Sequence, residues 1–340
     1  MKGAKKWIFN TLFLFVVIFL TFYLIFKDQD FGQTLEHIKN ANLLWCGIGL
    51  ATVVAFILLE SVIMHYLMNT ISQKSKLTHC FLYSFVGFFF SSITPSASGG
   101  QPAQAYFMRR DRISVSVSAP VLTVITVLYK AVLVIISAVV LIFRPPLMKY
   151  LDPYIMWFYL GLLLNVGFVF LLVLVMVKPN VVRQTSHFFI NIYTKIFKKH
   201  NGIKLHAKVE RGIQKYASVT ATFKKEKMAI LVAFFITFLQ RIILFAITWF
   251  CLKALGINDA NVFLVITLQA MISSAADMMP LPGGSGVSEI LFLGVFEPLL
   301  HAKTLPAMIL SRGLSYYSQM ILGSIFTLFS TVAIKDKSAD

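Results

Sequence analysis

The chain has 340 residues, 58% of them hydrophobic and only 13% charged, with a formal net charge of +17. Soluble domains carry roughly 25% charged residues, so a water-soluble globule is excluded, and 32 phenylalanines exclude a disordered chain. What remains is an all-α polytopic integral membrane protein.

A membrane crossing needs about 20 apolar residues. Lys2, Lys5 and Lys6 precede a charge-free run from Trp7 to Phe26. That run is longer than the core of a signal peptide and ends without a small-residue cleavage site, so it reads as an uncleaved first span. The second predicted span is 43–69. The next apolar stretch, 78–108, is broken by Thr94-Pro95-Ser96-Ala97-Ser98-Gly99-Gly100-Gln101-Pro102. Proline removes a backbone donor and glycine relaxes the chain, so two short helices meeting at a loop are expected there. Spans 113–143 and 153–177 follow.

Residues 178–227 carry 12 Lys/Arg against Glu210 and Glu226, with apolar positions such as Phe188, Ile192, Val209, Ile213 and Tyr216 at helical spacing. This segment reads either as one or two basic amphipathic helices on the inner leaflet or as a solvated cytoplasmic linker. Span 228–252 comes next, then a second broken stretch, 262–300, interrupted by Pro280-Leu281-Pro282-Gly283-Gly284-Ser285-Gly286, and a last span, 305–333. The expected fold is six full spans plus two re-entrant broken-helix hairpins, in one transmembrane domain over 1–340.

Positive charge sets the orientation. With the N-terminus and 178–227 in the cytoplasm, inner segments hold 22 basic and five acidic residues, and outer loops six of each. Crossing parity is unchanged if each broken stretch forms two full spans, so charge leaves hairpins and paired spans equally open. The two breaks fall at corresponding places in two half-chains, which predicts an inverted repeat with a binding site at its interface. Helices restarting after Gly99-Gly100 and after Gly283-Gly284-Ser285-Gly286 could present free amides to a phosphate. The alternative is that these glycines only allow helices to pack closely.

Charged residues inside spans are Glu60, Lys130, Arg241, Asp277, Glu289 and Arg312. Such groups are costly in lipid and mark pathways or structural ion pairs. Cys46, Cys80 and Cys251 lack metal spacing and read as small core hydrophobes; the histidines are scattered, so no metal or other cofactor is expected. No nucleophile elbow or nucleotide loop is present.

Two stretches carry a family resemblance. Thr94-Pro95…Gly99-Gly100-Gln101-Pro102…Ala105-Tyr106…Arg109-Arg110 and Pro280-Leu281-Pro282-Gly283-Gly284-Ser285-Gly286-Val287-Ser288-Glu289 resemble signatures of the lysylphosphatidylglycerol synthase transmembrane region. That region is the membrane part of the bacterial multiple peptide resistance factor. In the full-length factor a soluble synthase domain lysinylates phosphatidylglycerol from charged tRNA, and the membrane part is thought to flip the product outward. With this chain ending at Asp340, no soluble synthase domain is expected in it. The resemblance therefore implies a flippase-like translocase of aminoacyl lipids such as lysylphosphatidylglycerol, in the bacterial cytoplasmic membrane, contributing to resistance against cationic antimicrobial peptides.

The implied head-group residues are Gly99, Gly100, Gln101, Arg109, Arg110, Arg241, Asp277, Gly283, Gly284, Glu289 and Arg312, with Glu60 and Lys130 as further intramembrane charges. Expected partners are membrane phospholipids and a separate synthase; self-association is left open. Transfer of RNA-bound lysine by this chain would make it a phosphatidylglycerol lysyltransferase, but no acyl-transfer constellation accompanies the basic segment, so tRNA is not an expected partner of this chain alone. A scaffold for a lipid-modifying enzyme is the third reading.

Overall fold

The computed structural model describes residues 31–196 and 202–334. The expected first span, 7–26, and both charged chain ends lie outside the described residues. Within them, nearly all the structure is helical, and β pairing is confined to a single isolated bridge.

A short helix, α1 (Phe31–Lys39), leads to α2 (Leu43–Thr70). The start of α2 is fixed by Asn42, whose side-chain oxygen accepts from the Leu44 N–H at 2.9 Å. The first broken stretch is α3 (Leu77–Ile93) and α4 (Gly100–Arg110), and α5 (Val115–Phe143) follows. After a turn of helix over Met148–Leu151 and a 3₁₀ turn comes α6 (Ile155–Val177). The basic segment forms two helices, α7 (Pro179–Ile196) and α8 (Gly202–Lys225). Next is α9 (Lys227–Ala254), and then the second broken stretch, α10 (Val262–Ala276) and α11 (Val287–Leu300). Asn261 caps α10 as Asn42 caps α2, accepting from Phe263 at 2.9 Å.

Among the described residues, five stretches are long and apolar enough to cross a membrane: Leu43–Thr70, Val115–Phe143, Met148–Val177, Lys227–Ala254 and Val287–Ala333. The expected span 305–333 is not one regular helix. It consists of α12 (Thr304–Arg312), a π turn over Gly313–Tyr317, and α13 (Ser318–Ala333). Such a turn inserts a residue into the helical ladder and is frequent at functional sites.

Lipid tails supply no hydrophobic drive between helices, so close fit decides the packing. The long pair α2 and α9 forms the centre, where Gln240 donates to the Phe56 carbonyl at 3.1 Å and to Glu60 Oε2 at 2.8 Å. Helix α13 lies along α3, and Phe326 stacks on Phe85 at 4.2 Å between ring centroids. Such a pair adds about 0.5–1.5 kcal/mol beyond its buried area. On the other side α6 crosses α10 so tightly that a Cβ on Gly161 would stand 2.6 Å from the Ala275 Cα. Asn165 reinforces the crossing by donating to the Ser274 carbonyl at 3.0 Å.

The basic segment does not lay all its apolar surface outward. Helix α8 turns Ile213, Tyr216, Val219 and Phe223 inward, with α5 and α7 as its main neighbours. Its polar side holds Glu210, which accepts from Arg183 of α7 at 2.6 Å. That hydrogen bond and charge keep the Glu210 carboxyl below its ordinary value.

In the first broken stretch α4 doubles back along α3: a Cβ on Gly87 would meet the Gln104 side chain, and one on Gly100 would meet Ser91 Oγ at 2.0 Å. The two breaks are the same turn. The Ala97 N–H bonds to the Thr94 carbonyl at 3.2 Å and Ser98 N–H to Pro95 at 3.1 Å; Gly284 bonds to Leu281 and Ser285 to Pro282, both at 3.1 Å. The pair after each proline is left-handed, with φ of 50° and 53° at Ser96 and Ala97 and 59° and 63° at Gly283 and Gly284. The two turns touch through an antiparallel bridge between Pro95 and Pro282. Ser96 Oγ also donates to the Met279 carbonyl at 3.1 Å.

Candidate functional site

Where the turns touch, the chain lines a half-open cavity of about 240 Å³. Ser96 and Ala97 of the first turn and Gly283 and Gly284 of the second line it, as do Tyr129 of α5, Arg241 of α9, Asp277, Arg312 and Tyr316. The chemistry is concentrated on the second turn. Glycine is required there at two points. A Cβ on Gly283 would enter the Tyr316 ring at 2.1 Å, and one on Gly284 would stand 2.8 Å from the Ala276 carbonyl, both at positive φ.

Arg312 ends α12 and reaches across this turn. Its Nε donates to Glu289 Oε1 at 2.8 Å, and its Nη2 donates to the Gly283 carbonyl at 3.2 Å. Its guanidinium lies 4.5 Å from the Tyr316 ring centroid. Tyr316 in turn donates to the Ser92 carbonyl of α3 at 2.8 Å, so the π turn joins both broken stretches. The other Glu289 oxygen accepts from the Gly286 N–H at 2.6 Å and the Ser288 hydroxyl at 2.8 Å. The start of α11, expected to offer its amides to a phosphate, thus has the Gly286 amide engaged by its own glutamate.

A second ion pair closes the other side. Lys130, 3% exposed, pairs with Asp277 Oδ2 and contacts Met278 Sδ at 2.9 Å. The Tyr129 hydroxyl donates to Asp277 Oδ1 at 3.2 Å.

Arg241 differs from both. Among the described residues it has no carboxylate within ion-pair distance and no hydrogen bond, and its Nε is buried without a partner. Its guanidinium instead lies over Tyr129 at 4.4 Å and Phe56 at 5.1 Å. Glu60, 8% exposed, feels the Arg241 charge, but its hydrogen bond goes to Gln240.

Of the residues singled out in the sequence, Arg241, Asp277, Gly283, Gly284 and Arg312 come together on the cavity wall. Glu289 and Lys130 stand behind it, each holding a wall residue. Gly99, Gly100 and Gln101 are not on that wall. Gly100 serves the packing of α4 on α3. Gln101 is turned to α5, donating to the Thr126 hydroxyl and, at 3.4 Å, to the Leu122 carbonyl. Arg110 reaches the Thr331 carbonyl near the end of α13 at 3.1 Å, while Arg109 is exposed.

Sequence reading passed over Tyr129, Tyr316, Ser273 and Gln319, all on the wall. One signal was present. Ser311, Ser315 and Gln319 recur every four residues in an apolar stretch, which marks one polar helix face.

Residues 8–323 match the family model described as the lysylphosphatidylglycerol synthase TM region. The chain is also similar to a UPF0104 membrane protein of Archaeoglobus fulgidus, 24% identical over 323 residues, covering 92% of this chain and 94% of the relative. No solved structure matches.

Proposed function

The chain belongs to the lysylphosphatidylglycerol synthase transmembrane-region family, and from that premise we propose that it is a flippase-like translocase of phosphatidylglycerol-derived lipids. The observation that carries the reading is Arg241, an unpaired guanidinium on the wall of a cavity of mixed polar and apolar lining between two broken helices. A phosphate carried through hydrocarbon needs such a partner, because an uncompensated charge at mid-depth is expensive. Irregular backbone is tolerated at that depth only where it is covered by protein or lines a watery space. In this reading the head group enters the cavity while the acyl chains stay in lipid.

The repetition of one turn in both halves, bridged at Pro95 and Pro282, supports an inverted repeat of two re-entrant hairpins with the site on its axis. The proposed setting is the bacterial cytoplasmic membrane with the N-terminus inside, beside a separate synthase.

Proteoliposomes holding tail-labelled phosphatidylglycerol test the reading. Wild-type protein should expose inner-leaflet label to an external quencher. Arg241→Ala should slow this roughly 10- to 100-fold, the equivalent of losing a charge-assisted contact of about 1.5–3 kcal/mol. Equal rates with Arg241→Ala and wild type, at equal folded protein, would rule the role out.

A further inference from the structure

We infer that the cavity selects an anionic, hydroxyl-bearing phosphoglycerol head group and disfavours the cationic aminoacylated form; this rests on the translocase reading above. The argument is a count of open valences on the wall. Its carboxylate is Asp277, and both oxygens are taken, one by Lys130 and one by Tyr129. Glu289, behind the wall, is shared among Arg312, Gly286 and Ser288. Glu60 is off the wall and bonded to Gln240.

A lysyl ammonium would therefore find no free carboxylate on the wall, and it would face Arg241 and Arg312. A phosphodiester finds the opposite. Arg241 is unpaired, and a guanidinium stacked on a ring keeps its N–H edge free for a phosphate. The neutral groups fit a glycerol. Ser273 and Gln319 line the cavity and make no side-chain hydrogen bond among the described residues. They supply an open hydroxyl and an open amide for two neighbouring alcohols.

The test uses the full chain in nanodiscs and native mass spectrometry. Phosphatidylglycerol, lysylphosphatidylglycerol and phosphatidylcholine are offered in competition, with glycerol phosphate and inorganic phosphate in separate arms. Phosphatidylglycerol should be retained at least tenfold over the lysyl form, and Arg241→Gln should abolish that preference. Ser273→Asp places a carboxylate on the wall and should shift the preference toward the lysyl form, a gain that misfolding cannot mimic. Equal or tighter retention of the lysyl lipid overturns the inference while leaving the translocase reading intact. Indifference among all three lipids, unaltered by Arg241→Gln, overturns both. Displacement of lipid by inorganic phosphate as readily as by phosphatidylglycerol overturns the lipid head group as the ligand.

Discussion

The two breaks share a backbone and differ in almost everything else. The second reaches its left-handed pair with Gly283 and Gly284, the first with Ser96 and Ala97. Glu289 and Arg312 lock the second turn, while Lys130 holds Asp277 beside it. The first is held by neutral contacts: the Thr94 hydroxyl accepting from the Gly99 N–H at 2.9 Å, and Gln101 on Thr126. One turn geometry thus comes from two sequences, and only one copy carries charge. The first turn supplies shape, the second the ion-paired groups, and α9 the unpaired Arg241.

The contrast is sharpest in the locks. Glu289→Gln leaves Arg312 unpaired in a low-dielectric site, and breaking such a pair costs about 3–5 kcal/mol. Gln101→Ala removes neutral hydrogen bonds worth about 1 kcal/mol. Thermal unfolding in detergent should rank them in that order; comparable losses would break the distinction between a charged and a neutral turn.

The turns themselves come next. Gly284→Ala places a Cβ at positive φ against the Ala276 carbonyl, costing at least the roughly 1–2 kcal/mol of a left-handed alanine. In the first turn Ala97→Gly should relieve up to about 1 kcal/mol of that same strain. Opposite shifts in melting temperature are expected, and same-sign shifts would show that the turns are not equivalent.

The smallest effect lies outside the candidate spans. Hydrogen bonding and charge from Arg183 hold Glu210 below its ordinary value of 4.5. Its contribution is therefore present above that value and lost as pH falls through the lowered one. Hydrogen exchange in α7 should rise over that acid range before exchange in α2 and α9 does. Simultaneous loss would contradict a local tie.

Much of this was legible. Pro95, Pro282 and the glycines clustered beside them announce both breaks, because such clusters disfavour a continuous helix. The balance of three acidic and three basic intramembrane residues foreshadowed pairing. Which partners meet was not readable, since Arg312 and Glu289 are joined only by the angle at which α12 returns over the turn. Ser96 and Ala97 gave no hint of positive φ, which such residues seldom adopt. The π turn at Gly313–Tyr317 was also silent, yet it aims Tyr316 at Ser92. For Gly100 the sequence left a binding loop and close helix packing both open, and the structure shows the close approach to α3.

The most direct test joins the turns covalently. Residues facing each other across an antiparallel bridge lie within disulfide reach. With Cys46, Cys80 and Cys251 replaced, Pro95→Cys and Pro282→Cys should couple on mild oxidation, halting lipid movement in proteoliposomes until reductant restores it. Failure to couple, or unslowed lipid movement through the coupled protein, would contradict a route between the two turns.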